Sequence, residues 1–340
     1  MAGCCAKCFG NRGVEKEIAF RSTVRGKCAY CSSEDAVLIE AAELGDKFRT
    51  LLDAYETNDQ GKTLVAWLRE DWDLFPDLDD AHAKELLGDI FDDGDLPRKT
   101  FLPLSQGAPA PVGRWEELRK ELMHRNRFFP EVQIDLDNLR QLLSALKLDA
   151  GEVPTTWYRA RIMTEEAAFP IEKMGAPPQK IAVHGRANPA GIPYLYVASD
   201  KLTAISEVRP HTGEKVCVAD FTTPNDLSLI DLRNPRRTVS PFALADLLPD
   251  ETNPGQMRLE IAFLQRLGAE LTQPVLPTVA AFEYTPSQYL CEFIKKCGYD
   301  GVIYRSAIGD GMNLALFKPE KAAVGAVETV AVTRVHVEFE

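Results

Sequence analysis

The chain is 340 residues long, 45% hydrophobic and 26% charged, a globular composition rather than a disordered one, with room for about two domains. Its 51 acidic residues against 39 basic give a net charge of −12, which argues against a general nucleic-acid binder, since these present a basic face. No apolar run long enough to span a bilayer occurs, and Met1-Ala2-Gly3-Cys4-Cys5 lacks the basic start and apolar core of an export signal, so the expectation is a cytoplasmic protein with no membrane partner.

Cysteine opens the chain. Five of the eight fall at positions 4, 5, 8, 28 and 31. Cys5-x2-Cys8 and Cys28-x2-Cys31 have the spacing of a four-thiolate zinc site, in which two Cys-x-x-Cys turns offer their sulfurs to one tetrahedral ion and the ion replaces a core that so short a segment cannot build. Cys4 is the alternative to Cys5 as first ligand. Gly10, Gly13 and Gly26 are expected at the turns, and residues 1–34 are read as a zinc knuckle or ribbon. Structural Zn2+ is favoured over disulfides, because no export signal points to an oxidising compartment. Cys217, Cys291 and Cys297 stand among apolar neighbours and read as core or partly buried thiols.

Residues 36–150 hold 24 acidic and 14 basic residues and so carry most of the negative excess. Asp35 is placed to cap a helix whose stripe is Val37, Leu38, Ala41, Leu44, Phe48, Leu51 and Leu52. Helical patterns follow at 62–70, 79–91, 114–127 and 135–147, with a Gly/Pro-rich linker at 102–113. Residues 35–150 are therefore expected to form an all-α domain. Within it, Arg119 and His124 resemble the Arg-x4–6-His signature of the HEPN superfamily, whose members are ribonucleases or inert companions of toxin enzymes. Five residues is slightly off one helical face, and the acidic surroundings disfavour RNA. A ribonuclease is the weaker reading.

From about Pro154 short strands alternate with helices. WYRARI, PYLYVAS, KVCVADF, LSLIDL, GVIYRS and the terminal VAVTRVHVEFE read as strands, and DKLTAISEVR, RLEIAFLQRLGAEL and PSQYLCEFIKKCG as helices. Residues 151–340 are expected to be an α+β domain round an antiparallel or mixed sheet. No Gly-x-Gly-x-x-Gly follows a strand and no Walker motif occurs, so NAD as a hydride carrier is not expected.

Three ordered segments carry a resemblance. They are Trp157-Tyr158-Arg159-Ala160-Arg161, then Gly185-Arg186-Ala187-Asn188-Pro189-Ala190-Gly191 running through Tyr194-Leu195-Tyr196 to Ser206-Glu207-Val208, and last Tyr299-Asp300-Gly301-Val302-Ile303-Tyr304-Arg305-Ser306 with Asn313 following. Together they resemble the RES family, over about residues 154–320. The helical segment ahead looks like the HEPN-type domain that precedes RES domains. The resemblance implies an ADP-ribosyltransferase-like mixed-sheet domain that consumes NAD+, some relatives being toxins of toxin–antitoxin pairs.

Carried onto this chain, the resemblance assigns Arg159 and Arg186 to the pyrophosphate, Tyr196 to stacking on nicotinamide with Tyr194 as its nearest competitor, and Glu207 to the ribose and the developing oxocarbenium ion. Ser306 and Asn313 would hydrogen-bond the dinucleotide. Guanidinium suits phosphate through its fixed fork of donors, and a carboxylate suits a glycosyl cation. Many relatives have an aromatic residue after the Gly-Arg pair; here it is Ala187, so that wall of the pocket must be built differently. The leading function is an NAD+ glycohydrolase or phosphorylase acting as a toxin or antiviral suicide effector, restrained by an antitoxin, another regulatory protein or its own N-terminal half. The alternatives are an ADP-ribosyltransferase acting on a protein and a non-catalytic nucleotide-binding sensor. The acceptor and whether the chain is a homo-oligomer stay open.

Overall fold

The computed structural model describes residues 3–104, 111–242 and 254–336, and the chain divides into two compact units. The first comprises Met1–Trp115, Ile134–Leu146 and Asn234–Arg266; the second comprises Glu116–Gln133, Lys147–Arg233 and Leu267–Glu340. No helix among the described residues is long and apolar enough to cross a membrane.

In the first unit, β1 (Gly3–Cys5), β2 (Arg25–Gly26) and β3 (Ala36–Glu40) form an antiparallel sheet in the order β1-β3-β2. β4 (Tyr55–Thr63) pairs with β5 (Thr100–Pro103). The residues read as helical are therefore not purely so. Residues 36–40 are a strand, and the helix begins only at Gly45–Leu52 after a short 3-10 turn. Asp35 sits at φ 50°, which denies it the extended backbone of a helix cap. Val37-Leu38-Ile39 instead completes ladders with two strands distant in sequence, which local periodicity cannot register. The helices Leu64–Trp72, Asp80–Phe91, Pro111–His124 and Leu136–Ala145 lie close to their predicted places. The helix Arg12–Arg21 was not foreseen. It contains Gly13, and Gly26 lies in β2, so only Gly10, at φ 59°, makes a turn. Phe9, Phe48 and Phe75 pack ring to ring in the core, with centroids 5.7–6.3 Å apart.

The second unit is built on a seven-stranded mixed sheet. Its strands are β6 (Thr156–Ile162), β7 (Leu195–Ala198), β8 (Lys215–Thr222), β9 (Leu229–Asp231), β10 (Gly301–Arg305), β11 (Met312–Leu316) and β12 (Ala323–Ala331), in the spatial order β12-β8-β6-β7-β11-β10-β9. Only β9 and β10 run parallel. β8 shows why both faces need cover: Cys217, Ala219 and Phe221 join Trp157, Val197 and Leu314 in one core, while Val216 and Val218 join Ala160 and Ala198 in another. β11 was not foreseen. The final strand ends at Ala331 rather than running through the terminal residues, and 337–340 lie outside the described residues.

The middle of the sheet opens. β6 pairs with β8 over seven residues but with β7 only at Tyr158↔Ala198. Where that ladder stops, the Arg159 guanidinium donates from Nη1 to the Tyr196 carbonyl oxygen at 2.9 Å and replaces the missing backbone bond. A cavity has its floor there.

Candidate active site and cysteine cluster

The cavity measures about 550 Å³ and is lined by Arg159, Arg186, Tyr196, Glu207 and Asn313, five of the six residues expected to bind or cleave the dinucleotide. Ser306, the sixth, is buried behind Glu207. Residues more than 150 positions apart thus meet because β6, β7 and β11 are neighbours in the middle of the sheet.

Among the described residues the two arginines have no carboxylate partner. Burial, reinforced by Arg161, pushes Arg159 down to about 10, and its Nε is buried with no hydrogen-bond partner. Arg186 donates from Nη1 to the Gln273 carbonyl oxygen at 2.6 Å and lies 5.2 Å from the Tyr284 ring centroid. An unpaired buried guanidinium is costly, and an anion in the cavity would relieve that cost.

Tyr196 donates its hydroxyl proton to Asn188 Oδ1 at 2.7 Å and accepts from the Ala187 N–H at 2.9 Å. Burial holds its pKa above the ordinary tyrosine value. What it presents to the cavity is therefore a ring, not an acid. Any larger residue at Gly185 must displace this bonded pair, since a Cβ there would fall 2.5 Å from Asn188 Oδ1 and 2.7 Å from the Tyr196 hydroxyl. Tyr194 does not line the cavity. It is 1% exposed, bonded to Glu292 and packed on Phe317, which removes it as a stacking competitor. Ala187 is fully buried, and the aromatic surface beside Arg186 comes instead from Tyr284, nearly a hundred residues downstream.

Glu207 ends the helix Lys201–Glu207 and is held by its Oε1, which accepts from Ser306 Oγ at 2.7 Å and from Asn313 Nδ2 at 2.6 Å. Both donors expected at the dinucleotide are bonded to the carboxylate in this structure. One hairpin grips that helix at both ends. At the far end Asp200 caps the helix by accepting from the Thr203 N–H, and Gly311 packs so close that a Cβ would sit 2.0 Å from Thr203 Oγ1. We expect Asn313→Ala to lower kcat of whatever reaction the carboxylate serves about tenfold, the effect of one hydrogen bond to a charged group, with KM nearly unchanged. A raised KM at constant kcat would return Asn313 to substrate binding.

In the other unit, the Sγ atoms of Cys5, Cys8, Cys28 and Cys31 all lie within 4.8 Å of one another. The Cys8–Cys28 and Cys5–Cys31 sulfurs are 3.3 and 3.5 Å apart, and all eight cysteines are free. Those separations exceed the ~2.05 Å of a disulfide and approach the ~3.8 Å edge of a tetrahedron with Zn–S ≈ 2.3 Å. The 3-10 turn Ala6–Cys8 and the turn between β2 and β3 bring the two pairs together. Burial pushes Cys5 up to about 11. For Cys31 desolvation also acts upward, but hydrogen bonds with Ser33 outweigh it and bring the thiol to about 7. Four converging sulfurs without a disulfide fit a metal ion, and Cys4 stands outside the set.

Arg119 and His124 form no comparable site. Arg119 is ion-paired with Glu270 at 3.2 Å and with Glu283 at 2.8 Å, while exposed His124 packs beside Phe282.

The RES domain family model matches residues 156–338, more than half of the chain, and the chain belongs to the RES-domain family. The crystal structure of the M. tuberculosis MbcT–MbcA toxin–antitoxin complex contains a chain that is 14% identical, with a TM-score of 0.36, over 58% of this chain and 94% of that one. No curated protein matches the sequence significantly.

Proposed function

We propose that the protein is an NAD+-degrading enzyme that cleaves the nicotinamide–ribose bond, a glycohydrolase or phosphorylase. The observation that carries the reading is a carboxylate, Glu207, held by two buried donors in the same cavity as two arginines that have no carboxylate partner among the described residues. The arginines suit the pyrophosphate. The Tyr196 ring suits the cationic nicotinamide. As the C1′–N1 bond breaks, its electron pair leaves with nicotinamide nitrogen and positive charge builds on the ribose, where Glu207 opposes it. Water or phosphate then donates a lone pair to C1′ and loses a proton.

Such turnover drains a cofactor shared by the whole cell, which is the basis for reading the protein as a toxin or suicide effector restrained by an antitoxin or regulatory partner. The first 34 residues are proposed to hold structural Zn2+ through Cys5, Cys8, Cys28 and Cys31. Four thiolates close the coordination sphere, so the ion supplies stability and takes no part in the reaction. Incubating the purified full-length chain with NAD+, with and without phosphate, tests the reading. Free nicotinamide with ADP-ribose identifies water as acceptor, and ADP-ribose 1″-phosphate identifies phosphate. Intact NAD+ in both mixtures counts against the enzyme.

A further inference from the structure

Arg186 lies in the irregular segment 185–191, where no strand or helix fixes its backbone. A guanidinium on such a segment has many orientations, and useful anion binding requires one of them. Bonds from the Gly185 N–H to the Asn188 carbonyl and from the Ala187 N–H to the Tyr196 hydroxyl hold the neighbouring backbone, while the guanidinium itself is met by one downstream stretch, residues 273–288.

The Gln273 carbonyl takes Nη1. The Tyr284 ring lies beside the guanidinium at 5.2 Å. The Arg186 carbonyl oxygen accepts from Ser287 Oγ at 2.5 Å, and the Gly185 carbonyl accepts from Gln288 Nε2 at 2.9 Å. Tyr284 is itself tightly placed. It closes the helix Ala280–Glu283 and opens the helix Thr285–Lys296, with its N–H bonded to Ala280 O and its carbonyl accepting from the Gln288 N–H. The backbone that carries the ring is thus fixed between two helices.

We infer that Tyr284, supported by Ser287 and Gln288, is the positioning residue that sets Arg186 as an anion fork, an inference that rests on reading Arg186 as a pyrophosphate contact. With Nη1 spent on Gln273, the Nε–Nη2 edge is the one left for bidentate contact with phosphate oxygens. The aromatic face holds the guanidinium plane without neutralising it, which a carboxylate in that place would do. This also accounts for the small residue at 187. Tyr284 already supplies an aromatic surface beside the arginine.

The test is a double-mutant cycle on NAD loss with the full-length protein. Tyr284→Leu is expected to raise KM about five- to tenfold with kcat within about twofold of wild type, because the affected contact is remote from the bond that breaks. Tyr284→Phe, which keeps the ring, restores the KM. In an Arg186→Ala background Tyr284→Leu adds nothing further. Gln288→Ala raises KM less, in the same direction, and keeps the test open should Tyr284→Leu fold poorly. Additive effects in the double mutant, equal behaviour of Leu and Phe, or a fall in kcat at constant KM would overturn the inference. If wild type leaves NAD+ intact, the enzyme reading fails separately, and the same cycle is run on ADP-ribose binding by calorimetry. There Tyr284→Leu but not Tyr284→Phe weakens binding, and a wild-type chain that binds no ADP-ribose overturns the role of Arg186 and the inference with it.

Discussion

Glu207→Gln is expected to slow NAD loss by about a thousandfold, some 4 kcal/mol of transition-state stabilisation, while ADP-ribose still binds. The substitution keeps shape. A glutamine oxygen can accept the same two hydrogen bonds that Glu207 Oε1 receives from Ser306 and Asn313, so the side chain stays in place. What disappears is the negative charge, and that charge matters only once the ribose becomes cationic. On the proposed function, ground-state binding rests on the arginines and changes little. The measurement is nicotinamide release at saturating NAD+ beside ADP-ribose titration of the same preparations. Activity within tenfold of wild type would remove Glu207 from the centre of the chemistry. A parallel loss of ADP-ribose binding would make it a binding or structural residue instead.

Cys28→Ser is expected to remove one equivalent of zinc per chain and to lower the unfolding midpoint by about 10 °C or more, given how much folding free energy structural zinc sites contribute. The first sheet explains the size of the effect: β1 has three residues and β2 two, too little ladder to hold the turns that bear the cysteines without a cross-link. The competing cross-link is disulfide, and the two separate cleanly. Reductant leaves a zinc site intact and a chelator opens it, exposing thiols to a titrant; disulfides respond the other way. A purified chain free of metal, with a midpoint indifferent to chelator, would end the zinc assignment. Enzymatic activity is not the readout here, since the cysteines lie in a different unit from the cavity.

The residues of the cavity were legible because their chemistry is carried by short ordered segments: Arg159 on β6, Arg186 and Tyr196 around β7, and Glu207 at a helix end. Cys5, Cys8, Cys28 and Cys31 were legible for the same reason, since ligand spacing is a local property. What could not be read was allegiance. Ser306 and Asn313 were assigned to the ligand, yet their partner is a protein carboxylate about a hundred residues earlier. Tyr284 gave no signal, because nothing in its neighbourhood marks an aromatic that will face an arginine in another segment. β3 failed likewise: its apolar spacing fits a helix as well as a strand, and only its pairing with β1 and β2 decides. Long-range pairing decided each of these cases.

The grip of one hairpin on both ends of the helix Lys201–Glu207 also determines how the protein can be lost to mutation. Ser306 and Asn313 flank the turn that contains Gly311, and Gly311 abuts the helix start at Thr203. A single methyl group at 311 must displace the Thr203, Asp200 and Ser199 side chains, whose hydrogen bonds cap the helix that ends at Glu207 and tie its start to the hairpin at Met312. In a population selected to escape the activity, inactivating changes should therefore gather at this uncharged, chemically silent glycine as readily as at the arginines and the glutamate. A survey of survivors would map mechanical dependence as well as chemistry.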